Sequence, residues 1–86
     1  MRWVTFHYNI MDNQIADFQI HPDKQTALKY FNKNCNRWFG TNTKCKAEKL
    51  PATYGFFHRK YYGISARAFK QMFEISIDEA LEEQNE

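Results

Sequence analysis

The sequence predicts a single α+β domain. Three observations carry that expectation: strand-period alternation near the N-terminus, one long helical stretch after a proline stop, and two serine-capped helical starts near the C-terminus. At 86 residues the chain supports one hydrophobic core, so residues 1–86 are read as one domain, with 80–86 as a fraying tail. Eight Phe, five Tyr and two Trp give that core large side chains to fill it.

From Trp3 to Ile10, Val4, Phe6, Tyr8 and Ile10 alternate with Trp3, Thr5 and His7, the period of a strand. Met11-Asp12-Asn13 supplies turn residues, and Ala16, Phe18 and Ile20 then alternate with Asp17 and Gln19. The two runs predict an N-terminal β-hairpin that starts an antiparallel sheet. His21-Pro22-Asp23 ends it, because proline has no amide to donate and Asp23 can cap a helix.

Ala27, Leu28, Phe31, Cys35 and Trp38 recur at helical spacing, so a main helix is expected over about 24–38, packed on the sheet and ended by Gly40. Its basic outer face, with Lys29, Lys33 and Arg37, reads as a solvated helix surface. Thr43, Cys45 and Ala47 alternate with Lys44, Lys46 and Glu48, predicting a third strand over 41–50 that ends at Pro51. Tyr54 to Tyr62 reads as a further strand or an extended loop. Ser65 is placed to cap a helix over 66–73, and Ser76 with Glu79 forms a capping box for a second short helix from Ile77. The expected core comprises Val4, Phe6, Tyr8, Phe18, Ile20, Leu28, Phe31, Trp38, Phe69 and Phe73.

The formal charge of +2 conceals strong segregation. Residues 1–23 carry −2, residues 24–70 carry +10 with Glu48 as their single acid, and residues 71–86 carry −6. Such blocks steer charged partners even when the total is small. No stretch approaches the roughly 20 apolar residues of a membrane span, so no membrane role is expected. Cys35 and Cys45 are too few for a disulfide scaffold, and reduced thiols in a cytoplasmic protein are the expectation.

Catalytic chemistry finds little to stand on. Cys35, Cys45 and His58 lack the short ligand pairs that bring two zinc ligands into tetrahedral geometry, and the three glycines lie too far apart for a phosphate loop. The sequence therefore predicts a non-enzymatic protein with no cofactor, no metal and no small-molecule substrate. Its basic block predicts binding of a polyanion, foremost nucleic acid, through Lys44, Lys46, Arg59, Lys60, Arg67 and Lys70, with Tyr61 or Tyr62 as the stacking residue among the aromatics Phe56, Phe57, Tyr61 and Tyr62 that interleave with His58, Arg59 and Lys60.

The paired helices near the C-terminus invite comparison with a helix-turn-helix, and Gly63-Ile64-Ser65 before a helix bearing Arg67 and Lys70 resembles the opening of some recognition helices. The helix that follows is acidic at Asp78, Glu79, Glu82 and Glu83, so only the first is suited to phosphate. The alternative is a protein-binding module. In size and charge segregation the chain looks like the small accessory proteins of bacteriophages and mobile elements, which implies docking on an acidic or nucleic-acid-binding surface of a host protein or defence complex as an inhibitor.

Overall fold

A computed structural model of the protein describes residues 1–40 and 46–84, with side chains described up to residue 82. The alternating N-terminal runs form β1 (Trp3–Asn9) and β2 (Gln14–His21), and Asp23 then opens helix α1 (Lys24–Phe39). A second hairpin, β3 (Ala52–Phe56) and β4 (Arg59–Ser65), leads into α2 (Ala66–Phe73) and α3 (Ile77–Gln84). The four strands form one antiparallel sheet in the order β2-β1-β4-β3, with α1 on one face and α2 and α3 on the other.

Each helix starts where its side-chain cap supplies an acceptor for an otherwise unpaired amide. Thr26 N donates to Asp23 Oδ1 at 2.8 Å, and Ala68 N donates to Ser65 Oγ at 3.1 Å. In α3 the box is reciprocal: Glu79 N donates to Ser76 Oγ, and Ser76 N donates to Glu79 Oε2. The Asp23 carboxyl is held below its ordinary pKa, chiefly by the Thr26 amide. Gly40, at φ +94°, closes α1 through its amide to Asn36 O, a conformation that favours glycine.

The two faces of the sheet bury different chemistry. Below α2 and α3, Phe6 is wholly buried among Phe18, Tyr62, Phe69 and Phe73, with ring centroids 5.1–6.2 Å apart. Val4, Ile64, Ile77 and Ala80 complete this apolar layer. Below α1, Ala27, Phe31, Cys35, Leu50 and Tyr61 form a second cluster, joined by polar groups from β1 and β2. Gly63 permits it: a Cβ there would stand 2.7 Å from Leu50 Cδ2 and 3.1 Å from a Phe31 ring carbon.

A bulge in β2 changes which residues face α1. Pairing runs Thr5 to Gln19 and then His7 to Ala16, with Asp17 in the left-handed region at φ +52°. An aspartate tolerates that conformation better than most residues. Ala16 therefore leaves the face it was expected to share with Phe18 and Ile20, and Ile15 packs against the Phe6 layer instead. The Asp17 carboxylate turns beneath α1 and accepts from Tyr30 OH (3.2 Å), Trp38 Nε1 (3.3 Å) and Tyr61 OH (3.2 Å).

The third strand also differs from expectation. Residues 46–50 are irregular, not strand, and residues 41–45 of that expected element lie outside the described residues. The fourth segment is a full hairpin, with Phe57-His58 as its two-residue turn and Phe57 at φ +52°. Of the expected core, Val4, Phe6, Phe18, Phe31 and Phe69 are buried, while Tyr8, Ile20, Leu28, Trp38 and Phe73 pack half-buried around them. Cys35 is disulfide-bonded, which corrects the expectation of reduced thiols, and a bonded sulfur is neither nucleophile nor zinc ligand. The chain's other cysteine, Cys45, is outside the described residues. Among the described residues no helix is long and apolar enough to cross a membrane.

Candidate anion-binding face

Helix α1 carries four bases and no acid. Its inner side is committed by Ala27, Phe31, Asn34 and Cys35, all buried. At 3.6 residues per turn, the i, i+4, i+8 spacing then lines up Lys29, Lys33 and Arg37 along the outer side, and all three are exposed. Lys24 is drawn aside, its ammonium 5.3 Å from the Trp3 ring centroid in a cation–π contact.

The segment after α1 adds to that stripe. Asn32 clamps Ala47 from both sides: Ala47 N donates to Asn32 Oδ1 at 2.7 Å, and Asn32 Nδ2 donates to Ala47 O at 3.0 Å. Buried Leu50 then inserts between Phe31 and β4, so the short run between these two anchors is held against α1. Glu48 and Lys49 within it and Lys46 just before it are all exposed. Five cations with one acid among them thus share the α1 layer. Like charges at i, i+4 cost about 0.2–0.5 kcal/mol per pair, a penalty the helix carries at both Lys29–Lys33 and Lys33–Arg37.

The site predicted from sequence is divided by the sheet. Arg59 and Tyr61 point to the α1 side, whereas Lys60 and Tyr62 point to the α2 side. Arg59 is half-buried and structural: an Nη donates to Trp38 O at 2.8 Å, and the guanidinium lies 5.4 Å from the Phe39 ring centroid. Tyr61 is 0% exposed, its hydroxyl on Asp17 and its pKa driven far upward by burial and by the nearby carboxylate. It is therefore corrected out of any stacking role. Tyr62 is half-buried, its ring stacked on Phe6 at 5.1 Å, so one face of it is committed to the apolar layer, and burial raises its pKa.

Arg67 and Lys70 do come together, on the outer face of α2, where with Gln71 and Glu74 they line a shallow open depression of about 610 Å³. Glu74, four residues after Lys70, lowers the net charge there. Lys44 lies outside the described residues, and Lys46 is the one predicted base that joins the α1 stripe. In the sequence, Lys29, Lys33 and Arg37 read as a solvated helix surface, and Lys49 is not among the expected site residues. The available signal was the complete lack of an acid between Lys24 and Ala47.

Exposed aromatic surface lies at the tip of the β3–β4 hairpin. Phe57 is 93% exposed and Phe56 49% exposed, with Met11 and Ile10 beside them on the adjoining tip. Ile10 N donates to His58 O at 2.8 Å and ties the two tips together. Phe39 at the end of α1 packs edge-on against Phe56 (5.7 Å) and Tyr54 (5.4 Å), so the C-terminal end of the helix rests on β3 near the hairpin tip.

Under α1, His7 stacks on Trp38 with centroids 4.2 Å apart and planes 3° from parallel. Its Nε2 is buried and makes no hydrogen bond among the described residues. Burial, then Arg59, hold the His7 pKa below its usual value, against Asp17. His21 is hydrogen-bonded to Thr5 Oγ1 at 2.9 Å and is also lowered by burial, opposed by Asp23 and Asp17. Compared with known proteins, the chain matches no family model, no curated protein and no solved structure at a significant level.

Proposed function

We propose that the protein is a non-catalytic binding module that engages a polyanion, nucleic acid, through the outer face of α1 and the segment clamped beside it. The supporting observation is the exposed stripe Lys29, Lys33 and Arg37, on a helix that carries no acid, extended by Lys46 and Lys49. A helix gains nothing in folding from aligning three like charges, so their use lies in an external counter-charge. Phosphates spaced along a strand meet a row of cations at every turn of the helix, and release of condensed counterions supplies the free energy.

Fluorescence anisotropy against sodium chloride tests this. With about five phosphates neutralised, log affinity for a duplex should fall against log salt with a slope near −4.5. Reversing Lys29, Lys33 and Arg37 to Glu together should flatten that slope by at least about 2.7 and abolish binding near physiological salt. Absence of binding at low salt to single strands, duplex DNA and RNA contradicts the proposal. A slope unchanged by the triple reversal contradicts the site.

A further inference from the structure

We infer that the ligand is single-stranded nucleic acid, with the ring of Phe57 stacking on a base while the strand's phosphates follow the α1 stripe; this rests on the polyanion reading above. Phe57 sits at the first position of a two-residue hairpin turn at φ +52°, where glycine is favoured and a bulky side chain is strained. It is nonetheless an aromatic, 93% exposed, and it contributes to neither buried cluster. A strained turn position that packs nothing internally is accounted for by what its side chain meets outside.

The neighbours narrow that partner's chemistry. Lys60, the second residue after the turn, places a cation behind the ring on the α2 side of the sheet, while Arg59 on the α1 side is held by Trp38 O and the Phe39 ring. Phe56, next to Phe57, packs edge-on against Phe39, the last residue of α1, so the tip lies near the C-terminal end of the helix that carries the stripe. A flat apolar face with a cation alongside suits a base joined to its phosphate. A duplex hides its base faces in the stack and offers only phosphates, so the ring adds affinity for a strand whose bases are free.

Two variants keep the test independent of folding. Phe57→Asn suits the left-handed turn and removes the ring, while Phe57→Trp retains a face and adds a fluorophore at the tip. Affinities are measured at about 50 mM salt for labelled oligothymidylate and oligouridylate of about 12 nucleotides, and for a duplex of equal length. Phe57→Asn is expected to lower the ratio of single-strand to duplex affinity by about 5- to 150-fold, the range for one lost base stack. Phe57→Trp is expected to restore the ratio, with its indole emission quenched on binding.

An unchanged ratio in Phe57→Asn overturns the inference, and if the triple α1 reversal still abolishes salt-dependent binding, the polyanion reading survives it. Wild-type protein that binds neither single strand nor duplex overturns both. Self-association lost in Phe57→Asn without a change in ratio assigns the tip to a second copy of the chain and also overturns the inference.

Discussion

The two faces of the sheet solve the same packing problem with different materials. Under α2 and α3 the filling is almost wholly aromatic and aliphatic, built around Phe6, Phe18 and Phe69. Beneath α1 it includes Asp17, Thr5, His7, His21 and the hydroxyl of Tyr61, arranged around one carboxylate. An apolar layer gives stability with little directional demand. A polar one fixes orientation, because each buried donor must find its acceptor. Asp17 ties the middle and end of α1, at Tyr30 and Trp38, to β2 and, through Tyr61, to β4. The helix that carries the cationic stripe is thus the one whose pose is locked by hydrogen bonds.

The largest effect should come from the apolar face. Phe6→Ala removes a wholly buried ring with four aromatic neighbours and should destabilise the domain by about 3–5 kcal/mol in denaturant unfolding. Asp17→Leu should cost less, about 2–3 kcal/mol, since it strands the donors of Tyr61 and Trp38 and strains a left-handed residue. It should also loosen α1, seen as faster amide exchange there than in α2. Equal loss of protection on both faces would break the distinction between them.

Acid should act on the α1 face. The folded pKa values of His7 and His21 are depressed, so the unfolded chain binds more protons as pH falls below about 6.5, the ordinary histidine value. Their stabilisation is complete above that pH and is lost progressively on descending toward the folded values. The slope reaches at most about 1.4 kcal/mol per pH unit per histidine. Chemical denaturation of a His7→Gln, His21→Gln double variant should show a flatter profile between pH 6.5 and 5 than the wild type.

The smallest change is the most informative about use. Lys33→Glu turns two like-charge pairs into opposite-charge pairs and should raise stability by about 0.8–2 kcal/mol. The same substitution should weaken polyanion binding. Stability gained together with binding lost marks a surface retained for function.

Much of this architecture is written locally in the chain. Asp23, Ser65 and the Ser76–Glu79 pair announce their helices because a cap needs only residues three apart, and each forms as its pattern implies. The β3–β4 hairpin is not announced, since Phe57-His58 carries none of the glycine or asparagine that favours such turns. The bulge at Asp17 is invisible to a strict alternation, and it moved Ala16 and Ile15 between faces. The proposed binding surface was partly legible through the +10 block, but which cations share a layer depends on contacts distant in sequence. Asn32 holding Ala47, and Arg59 consumed by Trp38 O and Phe39, are tertiary facts.

Titration of isotopically labelled protein with a short oligothymidylate, followed by amide chemical shifts, tests the central claim most directly. Saturable shifts should concentrate at Lys29, Lys33, Arg37 and residues 46–49, extending to Phe57, and should leave the outer face of α2 unmoved. Shifts centred on Arg67, Lys70 and Glu74, or spread evenly over the molecule, would contradict it.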